Sequence, residues 1–450
     1  MSNLEMINAD VHPGGHSPLQ KSRSLNTKDM RRVLGSSFAG SIIEYYDFIL
    51  YATAASLVFG KVFFSNLDPA FALFVSFATL AVGYLARPLG GVIFGHFGDR
   101  LGRKRMLVLS MLLMGASTTA IGILPTSAQA GILAPSALVL LRVVQGVAVG
   151  GEWGGATLMA VEHAPARKRG FAAAFANAGG PAGGLLATFM VSGVAGLTGN
   201  QFLVWGWRIP FLFSAVLIAI GLLIRLKVSE SPIFKKLEGE NERRERMPIL
   251  ALLRNHPREV MLALIATLGF YACQGILTVW GISVAIEKGV NRTGALNWMA
   301  SSAIVTIVVC FLSARLSDRI GRRAVLTAAG ILAAVLAFPI LMLLTNGTLW
   351  GFAVAILMGN GLVQGAIAGP LGAFISEQFP TDVRYTGASL AYQGGSTIGA
   401  GFTPMIATGL MMLGGGAAWL VGIFWILVLL LGVAAARKTP ESSARRLEES

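Results

Sequence analysis

The chain has 450 residues, of which 54% are hydrophobic and only 13% are charged. This composition excludes an ordinary soluble protein, because it leaves too little polar surface to face water. The formal net charge of +14 would favour a nucleic-acid partner only if membrane topology did not account for the basic residues.

Twelve apolar runs, bounded by charges, Gly or Pro, approach the length of about 20 residues that a helix needs to cross a bilayer. They predict an all-α integral membrane protein with twelve transmembrane helices. In chain order the runs cover residues 33–59, 70–97, 106–124, 132–161, 170–196, 209–224, 260–286, 294–314, 324–344, 349–375, 386–412 and 417–436. Residues 1–31 are polar and lack the apolar core of a signal peptide, so we expect a disordered cytoplasmic tail.

The basic residues fall almost entirely on one side of this predicted topology. When the runs alternate from a cytoplasmic start, nearly all of the 36 lysines and arginines lie in cytoplasmic tails and loops. The positive-inside rule therefore predicts a multi-pass protein of the inner (cytoplasmic) membrane, with both termini, including the tail 437–450, in the cytoplasm. No nucleic-acid partner is needed to explain the charge. The exceptions are Lys61, Arg87, Arg142, Arg208, Lys288 and Arg292.

Two loop sequences of the first half return in the second half. GHFGDRLGRKRML, between the second and third runs, aligns with ARLSDRIGRRAVL between the eighth and ninth. One loop later, EHAPARKRGFAAAFANAGG aligns with EQFPTDVRYTGASLAYQGG. These repeats predict two six-helix bundles in the same orientation, residues 32–225 and 259–436, joined by a cytoplasmic loop at 226–258. Parallel repeats of this kind place a substrate site between the halves, near the middle of the bilayer.

Ionisable residues lie well inside the predicted helices of the first half but not of the second. Each costs about 2.5 to 3.5 kcal/mol at a helix centre, so their grouping in three helices indicates function. Their spacing puts Glu44 and Asp47 on one helix face, and Arg142, Gln145 and Glu152 on another. The embedded ionisable residues are Glu44, Asp47, Arg87, Arg142 and Glu152.

Three acids against two arginines leave one carboxylate without a positive partner, and such an acid is suited to carry a proton. We hypothesise that Asp47 pairs with Arg142 in the empty site, and that protonation of the acid frees the arginine for an anionic substrate. Glu44 is an equal candidate for the proton site. Glu152 is a third, although hydrogen bonding to the fifth helix explains it as well. Arg87 either binds substrate or satisfies the backbone carbonyl freed by the proline after it. A purely structural network of buried ion pairs is the alternative for all of them.

The second half offers neutral polar groups instead. Arginines in one half, with amides and aromatic hydroxyls in the other, suit a small carboxylate that carries hydroxyls or a ring. Asn360 and Gln364, four residues apart, share a helix face and serve either to bind substrate hydroxyls or to hold helices together. The candidates for substrate contact are Arg142, Arg87 and Gln145 of the first half and Tyr271, Gln274, Asn360, Gln364 and Tyr392 of the second, beside the further polar residues Trp280, Asn297 and Gln393.

The repeated loop motif combines basic residues with an acid and a glycine. Such side chains pair with acids or helix ends of a neighbouring helix only when that end of the protein is shut, so the motif is predicted to act as a conformational latch. Positive-inside loop charge alone explains the basic residues but not Asp99 or Gly102. The predicted latch comprises Gly95, Asp99, Arg100, Gly102, Arg103 and Lys104 in the first copy and Asp318, Arg319, Gly321 and Arg322 in the second.

The first copy resembles the loop signature of the major facilitator superfamily, which has a degenerate second copy in its second half. The stretches EYYDF, GYLARPLGG, LLRVVQG, GGEWGGA and EHAPARKRGF together resemble the metabolite:proton symporter family, and GGEWGGA is similar to its shikimate-like branch. The resemblance implies secondary active transport by alternating access, without a cofactor, of metabolites such as shikimate, α-ketoglutarate, citrate, dicarboxylates, proline or betaine. It also implies a gating role for the motif Asp and Arg residues, and coupling between an acid of the first helix and an arginine of the fourth, here Asp47 and Arg142.

The predicted function is therefore proton-coupled symport of a small organic anion, with a zwitterion such as proline or betaine, or exchange without protons, as alternatives. A channel fits less well, because its polar residues would repeat around a pore. An enzyme would need catalytic or metal-binding groups, and the lone Cys273 and Cys310 support neither a disulfide nor a metal site. The glycine-rich stretches 146–155 and 179–184 predict close helix packing and not a nucleotide loop. We expect a monomer whose partners are the bilayer, the carboxylate and the proton.

Overall fold

The structure, a computed structural model, describes residues 27–228, residue 230 and residues 248–441. Over these residues it is built from helices, and 12 of them are long and apolar enough to cross a membrane. The predicted helical membrane class and its twelve spanning helices are thereby confirmed. Most of both predicted tails and most of the predicted central loop lie outside the described residues.

The spanning helices are numbered α1 to α12 in chain order. The helical backbone of α1, α2 and α8 begins earlier than the spans themselves, at Thr27, Pro69 and Arg292. Two short helices, Ser127–Ala130 and Pro248–Asn255, lie in connections. The spans are α1 Met30–Val62, α2 Ala78–Leu101, α3 Arg103–Ile123, α4 Leu133–His163, α5 Arg169–Gly206, α6 Arg208–Leu226, α7 Pro257–Glu287, α8 Gly294–Ile320, α9 Arg322–Leu344, α10 Leu349–Ser376, α11 Arg384–Leu413 and α12 Trp419–Lys438.

Several spans contain π-helical turns, whose i→i+5 hydrogen bonds often mark functional sites. One of them explains the largest error in the predicted boundaries. The hydropathy of the fifth run ends near residue 196, but a 3₁₀ turn at Gly199–Gln201 and a π turn carry the helix on to Gly206. The π turns are Ala55–Phe59 in α1, Phe202–Gly206 in α5, Gly275–Trp280 in α7, Leu357–Gln364 in α10 and Thr397–Phe402 in α11.

The helices pack mainly within two groups, α1–α6 and α7–α12, which we call the N-half and the C-half. In the N-half α1 lies against α5, and α4 lies between α2 and α3. In the C-half α7 lies against α11 and α12, and α8 lies against α10. The halves meet through two related contacts, α2 with α11 and α5 with α8, and also where α5 lies against α10 and α4 against α11. The exact boundaries of the two halves stay a prediction.

Glycines allow these helices to approach closely. A Cβ on Gly146 would collide with the carbonyl of Gly83, and a Cβ on Gly150 would collide with the backbone of α2. A Cβ on Gly183 would likewise meet the backbone of α1 at Ile42. The prediction that the two glycine-rich stretches serve helix packing is therefore confirmed. Close approach of α2 and α4 brings the ionisable residues of both helices together.

Candidate functional site

The embedded charges of the N-half converge on one small pocket. Its lining comes from α1, α2 and α4, the three helices that carry the ionisable residues in the sequence. Glu44, Asp47, Arg87 and Arg142 are each at most 8% exposed, so these groups are removed from both water and lipid. The lining of this charged pocket is Glu44, Asp47, Phe48, Gly83, Arg87, Arg142, Gln145, Gly146 and Val149.

Asp47 is held by two hydroxyl groups from neighbouring helices. Thr118 of α3 donates to its Oδ2 at 2.8 Å, and Ser214 of α6 donates to its Oδ1 at 2.9 Å. The expected direct pair with Arg142 is replaced by a chain. Arg142 Nη1 donates to Gln145 Oε1 at 2.6 Å, and Gln145 Nε2 donates to Thr118 Oγ1 at 2.7 Å. The acid and the arginine are therefore linked through two intermediate side chains.

Both guanidinium groups of the charged pocket lie against aromatic rings. Arg142 Cζ is 4.1 Å from the ring centroid of Tyr51, and Arg87 Cζ is 4.4 Å from that of Tyr84 and 5.0 Å from that of Phe48. Within the described residues, neither guanidinium has a carboxylate inside the 4.0 Å ion-pair distance. The rings contribute about 0.5 to 2 kcal/mol of cation–π attraction each. They hold the arginines in place without neutralising their positive charge.

Glu152 does not join this pocket. Its carboxylate forms an ion pair with Arg225 of α6, whose Nη1 lies 2.8 Å from Oε2, and it accepts a hydrogen bond from Ser110 of α3 at 2.9 Å. The count of three acids against two arginines was therefore wrong, because Arg225, which follows the sixth apolar run directly, was counted among the cytoplasmic basic residues. Its side chain is 3% exposed and turns back from the end of α6 into the protein, as a long flexible stem allows. Glu152 was alternatively expected to form a hydrogen bond with the fifth helix, but its partners are Ser110 and Arg225.

Aromatic side chains of the C-half pack against those of the N-half beside the charged pocket. The ring of Tyr392 stacks on Trp153 of α4, with centroids 3.4 Å apart and planes at 4°. Tyr271 packs edge-on against Tyr392 at 5.3 Å and interacts electrostatically with Arg87. Two of the predicted substrate contacts, Tyr271 and Tyr392, thus lie beside the charged residues.

The amides of the C-half divide into two roles. Asn360 donates to Ser302 of α8 at 2.7 Å, so it holds α10 against α8 in this state. Gln364 is 5% exposed and its Oε1 has no hydrogen-bond partner. The shared face inferred from their spacing assumed a regular α-helix, whereas both lie in the π-helical stretch of α10. Gln274 is half-buried at the start of the π turn of α7.

Asn177 of α5 was not recognised in the sequence. It accepts a hydrogen bond from Trp153 Nε1 at 2.8 Å and donates to the carbonyl of Ala368 in α10 at 2.6 Å. One amide therefore joins α4, α5 and α10, across the boundary between the halves. An amide inside an apolar run needs a partner, and this signal could have identified Asn177 in the sequence.

The two copies of the loop motif bind the opposite halves to each other. Asp99 of α2 accepts hydrogen bonds from the backbone N–H groups of Tyr385 and Thr386, at 3.1 and 3.0 Å, where α11 begins. Asp318 of α8 accepts them from the N–H groups of Gly170 and Phe171, at 2.8 and 2.9 Å, where α5 begins. Each carboxylate caps a helix N-terminus, which favours negative charge. We call this end, with residues 95–104 and 314–322, the loop-motif end.

Glycine and arginine complete the geometry of the loop-motif end. Gly102 and Gly321 have φ of 105° and 101°, a backbone conformation that other residues rarely adopt, and they let α3 and α9 start directly after α2 and α8. A Cβ on Gly95 would collide with Thr386 of α11. Arg322 lies 2.7 Å from Asp318 and 3.3 Å from a Glu377 oxygen.

The remaining residues of the loop motif differ in the contacts that they make at the loop-motif end. Arg103 forms a buried ion pair with Glu162, which also lies 3.4 Å from Arg384 of α11. Arg100 lies 3.4 Å from the ring of His96, and Arg319 is exposed. The backbone N–H of Lys104 donates to Glu230, and those of Arg322 and Arg323 donate to Glu441.

The Glu230 and Glu441 caps were missed in the sequence. Glu230 follows α6 and caps the start of α3, while Glu441 follows α12 and caps the start of α9. Their surroundings, KVSES and KTPES, are a third echo between the halves. This echo can be found in the sequence, but its two copies fall in the predicted central loop and the predicted C-terminal tail, where no helix contacts were expected.

Comparison with known proteins covers most of the chain. The sequence profile described as Major Facilitator Superfamily matches residues 37–392. The inner membrane metabolite transport protein YhjE of Escherichia coli (strain K12) is 42% identical over 387 residues, 84% of this chain and 87% of that protein. The shikimate transporter of the same organism is 40% identical over 394 residues, with 86% and 89% covered. A proline/betaine transporter of Salmonella typhimurium (strain LT2) is 32% identical over 405 residues, with 87% and 78% covered.

Solved structures agree with this relationship at the level of the fold. The proton:xylose symporter XylE bound to 6-bromo-6-deoxy-D-glucose aligns with a TM-score of 0.78 at 17% identity, covering 94% of this chain and 98% of that one. The resemblance carried by the loop motif and the quoted stretches is confirmed by these relatives. The chain therefore belongs to the Major Facilitator Superfamily and is a multi-pass membrane transporter, not an enzyme, with metabolite transporters among its relatives.

Proposed function

We propose that the protein is a proton-coupled symporter that carries a small organic anion into the cell across the inner membrane by alternating access. One observation carries the proposal: the charged pocket holds two arginines and two acids, and its guanidinium groups lie on aromatic rings instead of on carboxylates. A buried charge without an ionic partner is costly. An anionic substrate removes that cost, so the pocket selects for it.

The substrate carboxylate is expected on the N-half arginines. Arg142 and Arg87 offer the planar pair of N–H donors that binds a carboxylate at two points. Gln364, Tyr271 and Tyr392 of the C-half supply polar groups for hydroxyls, with Gln274 and Asn360 as further candidates once the halves move. A shikimate-like substrate, small, hydroxylated and cyclic, fits this division, and one relative at 40% identity is a shikimate transporter.

A zwitterion is the second candidate for the substrate. Aromatic rings bind quaternary ammonium groups. Tyr84 and Tyr271 both interact with Arg87 of the charged pocket, and Tyr392 packs against Tyr271. The rings of Tyr84, Tyr51 and Phe48 are already covered by arginines in this state, which favours an anion over betaine. A proline/betaine transporter among the relatives keeps this candidate in the tests below.

Proton coupling is expected to run through the acids of α1. Arg142 reaches Asp47 through Gln145 and Thr118, so a substrate carboxylate at Arg142 competes with Gln145 for the same guanidinium. Protonation of Asp47 weakens the hydrogen bond that its carboxylate accepts from Thr118, and with it the series of hydrogen bonds that ends at Arg142. The substrate carboxylate can then bind Arg142 more easily. Glu44 is the other proton site under consideration, because its Oε2 is buried without a hydrogen-bond partner. Proton and substrate thereby act on one connected set of side chains.

The change between the two access states of the transporter is expected to break the helix caps that Asp99 and Asp318 form at the loop-motif end. Asp99 and Asp318 bind helix ends of the opposite half, so opening this end separates each carboxylate from its N–H donors. The positive-inside rule supports a cytoplasmic loop-motif end and cytoplasmic termini. The transport unit is proposed to be the monomer, because both halves of the site belong to one chain.

Uptake by proteoliposomes tests this function. A radiolabelled panel of shikimate, protocatechuate, α-ketoglutarate, citrate, proline and betaine is offered with and without an imposed proton gradient. Asp47→Asn is expected to lose gradient-driven accumulation of the transported compound but to keep counterflow exchange, which needs no net proton movement. Glu287→Gln, at an exposed acid near the end of α7, is the matched control and should behave as wild type. Loss of both activities, or of neither, in Asp47→Asn would remove Asp47 from the coupling role, and Glu44→Gln would then take its place in the same assay.

A further inference from the structure

The ion pair of Glu152 and Arg225 forms a second charge cluster, separate from the charged pocket. It lies deeper toward the loop-motif end, and Arg225 also donates from Nη1 to the backbone carbonyl of Leu107. Both charged side chains are at most 3% exposed. The cluster is formed by side chains packed among α1, α3, α4 and α6 of the N-half, and Tyr385 of α11 faces it from the C-half.

The cluster reaches α1 one helical turn from Glu44. A Cβ on Gly40 would collide with the guanidinium of Arg225 and the carboxylate of Glu152, so both pack directly against this turn of α1. Glu44 follows four residues later, on the same side of the helix. It interacts electrostatically with Arg87 and with Arg225. Arg225 is therefore within reach of two acids, and only Glu152 is paired with it in this state.

On its other side Arg225 lines a second pocket, which continues toward the loop-motif end. Ser36 and Ser37 of α1 and the partly exposed Lys104 of α3 lie in its wall together with Arg225. Polar groups thus extend from Glu44, through the ion pair, to the rim at Lys104. The path stays inside the N-half, whereas the Trp153–Tyr392 stack closes the space between the halves.

We propose that Glu44 and Glu152 share Arg225 and hold one proton between them, so that Glu152 passes the coupled proton from the charged pocket toward the loop-motif end. The inference rests on the proposed proton-coupled function. In this proposal the proton is assigned to Glu44 in the state described here, because its Oε2 is buried without a hydrogen-bond partner, and Glu152 is ionised beside Arg225.

Transfer exchanges the two acids and conserves charge. The proton leaves a carboxyl oxygen of Glu44, through water, and binds a carboxylate oxygen of Glu152. Arg225 remains protonated and changes its partner from Glu152 to the newly ionised Glu44. Glu152 then releases the proton, through water beside Arg225, into the second pocket that Arg225 lines, and regains Arg225 as its partner. While Arg225 stays on Glu152, its positive charge blocks the route, which prevents a proton leak.

The other groups that face the pair do not compete for this proton. The hydroxyl of Tyr385, from α11, donates to the carbonyl of Gly151 at 2.7 Å. Lys104 of α3 is a cation whose Nζ donates to the carbonyl of Leu226. Arg87 of α2 acts on Glu44 as a positive charge, and Ser110 of α3 is a hydroxyl donor to Glu152. The two glutamates are therefore the acids of the route.

A purely structural ion pair makes a different prediction. Replacing both members of a buried pair by neutral side chains of similar size is often neutral or stabilising, whereas removing one member leaves an unpaired buried charge. The double variant Glu152→Gln with Arg225→Met therefore keeps the fold testable even if Glu152→Gln alone fails to fold. Glu152→Asp keeps a titratable acid on a shorter side chain.

The test compares three activities of each variant in proteoliposomes: counterflow exchange, gradient-driven accumulation, and internal acidification on substrate addition, read with a pH-sensitive dye. We call the proposed proton transfer from Glu44 to Glu152 the relay. It predicts that the double variant keeps counterflow at the wild-type rate but loses accumulation and acidification. It further predicts that Glu152→Asp retains part of both.

Four outcomes would overturn the relay, three from the variants and one from the wild-type protein. A double variant that accumulates substrate as wild type does makes the pair structural, and a double variant that loses counterflow as well puts the pair in the transport cycle itself. Equal accumulation by Glu152→Asp and the double variant removes the titrating role. Wild-type protein that moves substrate without protons overturns the proposed function together with the relay, so the two failures are distinguishable.

Discussion

Gly83→Ala tests the geometry of the proposed anion site with the smallest possible change. A Cβ on Gly83 would collide with Nε and Cζ of Arg142, so the guanidinium has to move from its place. It would then lose the 2.6 Å hydrogen bond to Gln145 Oε1 and its position 4.1 Å from the Tyr51 ring. A hydrogen bond to a charged group contributes about 1.5 to 3 kcal/mol and a cation–π contact about 0.5 to 1 kcal/mol.

We expect about 2 kcal/mol of this to appear as weaker substrate binding, a rise in KM of about 30-fold. The assay is uptake of the transported anion as a function of its concentration, with thermal unfolding measured on the same samples. Gly193→Ala in α5 is the matched control, because a Cβ there meets nothing within 4 Å. An unchanged KM in Gly83→Ala, or an equal rise in the control, would refute the role given to Arg142.

Three further outcomes follow from the site. Arg142→Lys keeps the charge but loses the planar donor pair and the ring contact, so KM should rise by about tenfold in the same uptake assay. Gln364→Ala should raise KM, whereas Asn360→Ala should chiefly lower the melting temperature, because Asn360 donates to Ser302 of α8 in this state. Asp99→Asn removes a charged helix cap of about 1 kcal/mol, so alkylation of Ala173→Cys, buried where the halves meet, should become about fivefold faster.

Much of the fold could be predicted because membrane physics constrains it. Apolar runs must form helices in a bilayer, and the loop repeats report their order and orientation. The charged pocket was partly predictable for the same reason: embedded ionisable residues are expensive, so they mark a site, and their helix faces have to meet. Glu44, Asp47, Arg87 and Arg142 were found in this way.

Partners set by tertiary contact could not be predicted. The acceptor role of Asp47 depends on Thr118 and Ser214, which are ordinary residues in helices whose rotation the sequence does not define. Arg225 lies at a helix end, where positive charge is expected for topology, and only packing shows that it turns inward. Asn360 appeared to share a face with Gln364 because a π-helical stretch leaves no clear signal in a single sequence.

Proton movement during substrate entry tests the central claim most directly. Proteoliposomes that contain a pH-sensitive dye, with no imposed gradient, are given the transported anion from outside, and protein-free liposomes correct for diffusion of the undissociated acid. Symport predicts that the lumen acidifies as substrate enters, and that Arg142→Gln abolishes both signals together. Substrate entry through the wild-type protein without any change in internal pH would contradict the account.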